Sequence, residues 1–583
     1  MEMRKRFEWA VPATAILLAV GLLLYFTRIS PVIYETNDDL FLKWIASGEM
    51  TGDPEAKMYY IGLPAGIILS SLYKLAPDLP WYGLYQLAAI AAVMAVISGG
   101  ILSLVEKPLL RLLSLAAFGL GAYGFFFYHV AELQFTFTTA FLGAGAVFAY
   151  GVSILSAENK KTHRLWSILF WLMTFWSISI RLKAFLMLTP ILAVLGVGGL
   201  FFSKDPADSE ARKSARKRIL ITSFVGCGLL VAVYLQDLAV YGTGEWKEFR
   251  DYKNAEEMVT DYYHYPDYDT YRELYDRYDI GPAAYTAASS HYLVELQPWI
   301  NASSMADVAA TAKANYRSLS FGEFIRAFWD RHMISYMDRP LNILVYALYL
   351  FVTLWIMGLR RWGELKELAV LVMARTVIWS YLIYMERLPV RVSHGVYAAE
   401  LACLLVILLK VQKKAGRKAS AVMGILAAAM VMALTVRFGF PKAAAAGYDA
   451  RSKCENGKIF AEVRGYFAEH PHQVFLLDVH SFEYYTENAL VGRVDETDNW
   501  LFLGSWMAES PWYDKKYDRL GIEDPDNCFF TDPDVKAVFL KVSGDEYEYF
   551  EDFCRERYPE KQVYVEDIIH TSAGLEFAVL GCE

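Results

Sequence analysis

Charge is scarce in this sequence: of 583 residues only 21% are Asp, Glu, Lys or Arg, against 55% hydrophobic and 15% aromatic. A soluble chain of that composition would expose too much apolar surface, so a cytosolic enzyme is excluded. No heptad and no Gly-X-Y period runs through the apolar residues, which excludes a coiled coil and collagen, and the apolar content itself excludes disorder. Cys and His are also few, six and ten, and they show no metal-ligand spacing; a glycine-rich nucleotide loop is missing too. These absences argue against a zinc hydrolase and an ATP-driven pump. There is no internal repeat, no low-complexity tract and no small-x-small cleavage site after the first apolar run. Arg4, Lys5 and Arg6 therefore precede an uncleaved first span rather than a secretory signal.

What is present are long uncharged blocks, among them Trp9 to Thr27, Tyr82 to Val105 and Ile219 to Gln236, each of the length that crosses a bilayer as a helix. After the first span, further ones are expected near 83–105, 112–128, 135–156, 165–180, 184–202, 219–240, 341–358, 366–385, 393–410 and 419–437, eleven in all. The segment Met58 to Leu75 is apolar but short and broken by Gly62, Pro64 and Gly66, and charge parity argues against its crossing. Without it, residues 1–8, 106–111, 157–164, 203–218, 359–367 and 410–418 share one side, with 22 basic against 9 acidic residues. The long loops 241–340 (10 basic, 16 acidic) and 440–583 (14 basic, 29 acidic) share the other. Positive charge near span ends marks the cytoplasmic side. The expectation is a helical bundle of the plasma (cytoplasmic) membrane with its N-terminus cytoplasmic, and with Met58 to Leu75 as a juxtamembrane or re-entrant helix on the outer face.

The chain then divides into a membrane module, residues 1–240, containing a first outer loop 28–82; an outer loop 241–340; membrane helices 341–438; and an outer domain 439–583. That last domain is long enough to fold alone. Its β-rich runs Val474–Val479, Val535–Val542, Val563–Ile569 and Leu575–Leu580, with a helix near Tyr547–Arg557, predict a small α/β layer. Cys454, Cys528, Cys554 and Cys582 lie in it and either form two bridges or stay free. The loop 241–340 interleaves Asp and Arg with tyrosines, including Tyr252, Tyr262, Tyr265, Tyr268, Tyr275 and Tyr292, which suit both an interfacial belt and a sugar-stacking surface. Asp267-Tyr268-Asp269 is read as a chance likeness to a metal motif, and the use of the sequon Asn301-Ala302-Ser303 depends on the organism.

The most informative stretch follows the first span: Tyr34-Glu35-Thr36-Asn37-Asp38-Asp39-Leu40-Phe41-Leu42-Lys43-Trp44-Ile45-Ala46-Ser47-Gly48. Asn37 as N-cap, Gly48 as C-cap and an apolar face of Leu40, Phe41, Trp44 and Ile45 predict a short amphipathic helix lying on the membrane surface. Asp38 and Asp39 occupy its first turn, where they either favour the helix dipole or include a catalytic base held at the membrane boundary. The topology, with paired acids opening the first outer loop, resembles the GT-C superfamily of integral-membrane glycosyltransferases. That resemblance implies a polyprenyl-phosphate-linked or lipid-diphosphate-linked sugar donor and a catalytic acid in the first outer loop. Asp38 matches that acid best, with Asp39 as the alternative or as a metal or substrate contact.

Such a transfer needs cations to hold the leaving phosphate. The outer turns offer Arg181 and Lys183, and then Arg387, Arg391 and His394 within Glu386 to His394; arginine suits the role because its planar fork binds phosphate bidentately. Snorkelling, or pairing with Glu386, is the alternative for these cations. Arg375, in the middle of a span, and Glu132, in a compact outer turn with His129 and Gln134, are further candidates, Arg375 with an alternative structural role and Glu132 as a solvated loop acid. The expected function is transfer of a sugar from a polyprenyl-phosphate carrier to a glycan, lipid or protein of the cell envelope. The competing readings are a polysaccharide polymerase or ligase and a membrane transporter or flippase. Membrane lipid, the donor and the acceptor are the expected partners, not nucleic acid; whether Mg2+ or Mn2+ is a cofactor stays open.

Overall fold

The computed structural model describes residues 2–201, 209–290, 293–482, 486–492, 498–541 and 547–583. Residues 203–208 of the basic connection, Tyr292 of the tyrosine series and Val542 of the second β-run lie outside the described residues. The chain opens with α1 (Glu2–Ile29), a two-residue strand β1 (Ile33–Tyr34) and two short helices, α2 (Asn37–Ser47) and α3 (Leu63–Leu75). There follow α4 (Trp81–Leu104), α5 (Pro108–Phe126), the single turn α6 (Tyr128–Ala131), β2 (Glu132–Leu133), α7 (Phe135–Leu155), α8 (Lys160–Ile180), α9 (Leu182–Phe201) and α10 (Ser209–Tyr241).

Among the described residues nine helices are long and apolar enough to cross a membrane. Helices α8 and α9 fill the two other expected spans: the first turns of α8 carry Lys160, Lys161 and Arg164, and the described apolar part of α9, Leu182–Gly198, is shorter. At 13 residues α3 reaches only about 20 Å against a hydrocarbon core of about 30 Å. Helix α7 is the axis of the bundle. It is buried from Phe135 to Ser153 and packs against α4, α8 and α9.

The loop between α10 and the next span is largely helical: α11 (Gly244–Glu257), a π-turn at Met258–Tyr263, α12 (Arg272–Asp276), α13 (Pro282–Ser289), α14 (Ala302–Asn315) and α15 (Phe321–Trp329). Its tyrosines make a core of their own, Tyr268 stacking on Tyr275 and Tyr285 meeting both. Asp267 closes a turn by accepting from the backbone and hydroxyl of Thr270, and Asn301 with Ser304 forms the capping box of α14. The chain re-enters the bundle through α16 (Leu341–Gly358), α17 (Trp362–Tyr384), α18 (Val390–Lys414) and α19 (Arg417–Leu434), and α18 packs along α7. A π-turn joins α19 to α20 (Phe440–Glu469), so one 53-residue helical stretch runs from span to C-terminal domain.

That domain holds five strands: β3 (Val474–Asp478), β4 (Trp500–Leu503), β5 (Val535–Lys541), β6 (Val563–His570) and β7 (Glu576–Cys582), with α21 (Pro511–Leu520), α22 (Cys528–Thr531) and α23 (Glu548–Arg557) between them. Their order is β4-β3-β5-β7-β6; β4, β3 and β5 are parallel and β7 and β6 antiparallel. The short β4 was not foreseen from the sequence. The four cysteines of the domain are free thiols, so its stability comes from this packed sheet and not from bridges.

The sequence placed α2 on the membrane surface, and here the structure differs. Residues 39–47 are all buried, because the C-terminal domain covers the helix. Phe41 and Trp44 pack on Phe502, Lys43 is clamped by Glu49 and Glu487, and the Trp44 indole N–H donates to Glu487. Thr36 rather than Asn37 is the residue before the first turn, and Gly48 ends the helix at φ 83°, where a Cβ would lie 2.6 Å from the Asp53 backbone. β1 pairs in parallel with β2, and Ala489 of the outer domain donates its N–H to Val32. First loop, α6–α7 turn and outer domain are thereby stitched into one floor.

Candidate functional site

A cavity of 1170 Å³ opens over that floor. The first outer loop contributes Tyr34, Glu35, Asp38 and Tyr60 to its wall; the α8–α9 turn contributes Arg181 and Lys183; the α17–α18 loop contributes Arg387 and Arg391. Five residues from distant parts of the sequence that were read as candidates, Asp38, Arg181, Lys183, Arg387 and Arg391, thus face one space. Its apolar side consists of α9 (Ala184, Leu186, Met187, Pro190) and α17 (Val377, Ile378, Tyr381, Leu382). Leu186, Val377 and Tyr381 are exposed, so this side of the cavity offers open apolar surface.

The Asp38 carboxylate makes no hydrogen bond and no ion pair among the described residues. Burial raises its pKa above the usual carboxylate range, and the positive charges of Arg391, Arg181, Lys253 and Arg387 oppose that rise in decreasing order. The cations differ in how far they are already engaged. Arg387 is paired with Asp261 of the π-turn and lies over the Tyr262 ring. Lys253 of α11 is bonded to Glu256 at 2.6 Å. Arg181 donates to the Thr136 hydroxyl at 2.7 Å and rests on the Phe135 ring. Lys183 and Arg391 make no hydrogen bond or ion pair among the described residues. An anion entering the cavity therefore meets Arg391, Lys183 and the free edge of Arg181 with no carboxylate bonded to them.

Asp39, next to Asp38, is turned away by the helical rotation of about 100° per residue. It is 0% exposed and lines no part of the cavity. Its Oδ1 accepts from the Tyr82 hydroxyl at 3.0 Å, the Gln86 amide at 2.9 Å and the Phe135 N–H at 3.1 Å, and the Thr36 hydroxyl reaches Oδ2 at 3.4 Å. Burial pushes its pKa up to about 8 despite these donors. Asp39 fixes the start of α2 to α4 and α7.

Three other sequence candidates also point elsewhere. His394 is buried, with Nδ1 2.8 Å from Nε2 of His129. Glu132 is buried and bonded to Lys453 at 2.5 Å. Arg375 pairs with Glu400 of α18 at 2.8 Å, and the Trp379 indole N–H donates to the other oxygen of that carboxylate at 3.0 Å. Among the described residues no group of three or more His, Cys, Asp or Glu side chains is placed to hold a metal ion.

Several lining residues were not singled out from the sequence: Glu35, Tyr60, Lys253, Lys453 and Trp506. Glu35 stands in the stretch already noted, three positions before Asp38; it accepts from the Tyr128 hydroxyl at 3.1 Å. The other four had no spacing to mark them, since Lys253 and Tyr60 sit among many Tyr and charged residues and Lys453 and Trp506 belong to the outer domain.

No family model matches the chain, and no curated protein matches it. Among solved structures, the crystal structure of ArnT from Cupriavidus metallidurans in the apo state is similar at 11% identity over 98% of this chain and 98% of that one, with a TM-score of 0.39. The crystal structure of the same protein bound to undecaprenyl phosphate is similar at 11% identity with the same coverage and a TM-score of 0.34. Likeness at this level leaves the functional reading to the geometry of the site.

Proposed function

We propose that this chain is an integral-membrane glycosyltransferase of the GT-C type, which moves a sugar from a polyprenyl-phosphate carrier to an acceptor hydroxyl on the outer face of the plasma membrane. One observation carries the reading: an unbonded carboxylate, Asp38, faces unbonded cations, Arg391 and Lys183, in a cavity whose other side is made of apolar residues of α9 and α17. The carrier's chain lies against α9 and α17, and its phosphate meets Arg391, Lys183 and Arg181. The acceptor oxygen attacks the anomeric carbon as the bond from that carbon to the phosphate oxygen breaks. The acceptor's proton passes to Asp38, and the phosphate leaves as an anion held by the cations.

Burial makes Asp38 a stronger base than a solvated aspartate, and the arginines limit that rise by favouring the carboxylate. Asp39 is a positioning residue that sets the angle at which α2 presents Asp38. In this reading the Lys/Arg-rich connections are cytoplasmic and the loop 241–340 and the C-terminal domain lie outside.

The test is turnover by purified protein in nanodiscs, offered a panel of radiolabelled polyprenyl-phosphate sugars with and without chelator. Release or transfer of sugar supports the reading, and the chelator arm decides whether a divalent cation takes part. Carriers left intact by the nanodisc protein, together with movement of a carrier across sealed vesicles, would replace it with a transporter.

A further inference from the structure

The cavity has a third wall, made by the C-terminal domain. Val479 and His480 follow β3, and Gly504, Ser505 and Trp506 follow β4. β3 and β4 are neighbouring parallel strands in register from Phe475 opposite Trp500 to Asp478 opposite Leu503, so both segments leave the sheet at its carboxyl edge. That edge is where open α/β sheets hold ligands.

Trp506 is the feature of this wall that its own fold does not explain. Its indole Nε1 is buried and has no hydrogen-bond partner, although a buried indole N–H normally finds one. The ring lies 4.8 Å from that of Tyr60, a second cavity residue, and is backed by Trp512 at 5.9 Å. Tyr60 in turn lies under the guanidinium of Arg181 at 5.7 Å, and its hydroxyl is within electrostatic reach of Asp38. The aromatic pair therefore extends from the catalytic side of the cavity to the outer domain. Its setting is rigid: Glu295, from the loop 241–340, accepts from the N–H groups of Gly504 at 2.6 Å and Ser505 at 3.1 Å. Ser505 and Thr486 belong to the same wall, and their hydroxyls hold it together, Thr486 bonding to the Tyr34 backbone and Ser505 accepting from the Met507 N–H.

We infer that Trp506 and Tyr60 form the acceptor subsite and that the acceptor is a carbohydrate. The inference rests on the glycosyltransferase reading and deepens it. A pyranose offers a C–H face to lie on the two rings, an oxygen to accept from the Trp506 N–H, and a further hydroxyl to bring to Asp38. A diacylglycerol would leave the indole N–H unpaired and offers no ring face to the two aromatics; a peptide would seek a free backbone edge, which this wall lacks because Glu295 occupies the N–H groups of Gly504 and Ser505.

Two measurements on the full chain in nanodiscs separate this inference from the reading beneath it. The first is binding of polyprenyl phosphate; the second is transfer from a radiolabelled polyprenyl-phosphate sugar to chito-, cello-, malto- and mannohexaose, a Ser/Thr peptide and a diacylglycerol. Wild type should bind the carrier and label a hexaose. Trp506→Ala should raise the KM for that hexaose at least about tenfold with the donor KM within about twofold, and Trp506→Phe, which keeps a ring and loses the N–H, should fall between. If wild type binds no carrier and consumes no donor, the glycosyltransferase reading fails. If it consumes donor but labels only the peptide or the diacylglycerol, or labels none of the acceptors, the inference alone is overturned. An unchanged hexaose KM in both Trp506 variants overturns it as well.

Discussion

Replacing Asp39 separates architecture from chemistry at the paired acids. With its pKa pushed up to about 8 by burial, the carboxyl is mostly protonated at pH 7. The neutral acid accepts from Tyr82, Gln86 and Phe135 through Oδ1 and turns its own proton toward Thr36. Asparagine reproduces that pattern, its amide oxygen accepting and its amide N–H donating. Asp39→Asn keeps these bonds without the proton uptake that folding of the acid requires above about pH 4, so it should unfold no more readily than wild type at pH 7. Asp39→Ala leaves three buried donors unpaired at about 1–3 kcal/mol each, or about 3–9 kcal/mol together, and water admitted to the vacated space brings the cost toward the lower end. The pH dependence follows from the direction of the shift. A folded value of about 8 lies above the ordinary value near 3.9, so the folded state holds the proton more tightly; the associated stability is complete below about pH 4 and is lost as pH rises through about 8. Unfolding of wild type, Asp39→Asn and Asp39→Ala in nanodiscs between pH 5 and 9 should give a midpoint for wild type that falls relative to Asp39→Asn from pH 5 to about 8 and levels off above. Equal stability of Asp39→Asn and Asp39→Ala at pH 7 would refute the assignment of Asp39 to the framework.

Arg391→Gln should weaken binding of polyprenyl phosphate by at least about tenfold, since it removes a cation with no competing carboxylate bonded to it, and Arg391→Lys should recover part of that loss; direct binding assays check both. Arg375→Met leaves Glu400 buried without its partner and should cost about 3–5 kcal/mol, whereas Arg375→Met combined with Glu400→Leu should restore most of the stability, as unfolding of the single and double variants will report.

What could be read in the sequence follows the range of the physics involved. Spans were legible because each is a local run of apolar residues, and α2 because its Gly48 stop and its apolar face lie within eleven positions of one another. What covers α2 was not legible. Phe41 and Trp44 suit lipid and the aromatic floor of a sheet equally well, and Phe502 lies more than 400 positions away. The choice between Asp38 and Asp39 required the facing of one helical turn, which depends on Gln86 and Phe135 in two other helices. Arg375 stood out as costly in a span, but its partner Glu400 became known only once α17 and α18 were packed together. β4 was missed because it has four residues and follows an acid-rich stretch with no strand pattern.

The central claim is that Asp38 is the base. Its most direct test is transfer by Asp38→Asn compared with wild type at saturating polyprenyl-phosphate sugar, with carrier binding measured on the same preparations. The account predicts that Asp38→Asn binds the carrier about as tightly as wild type and turns over at least about 100-fold more slowly, since a base contributes about 10²–10⁴-fold. Undiminished turnover by Asp38→Asn would contradict it.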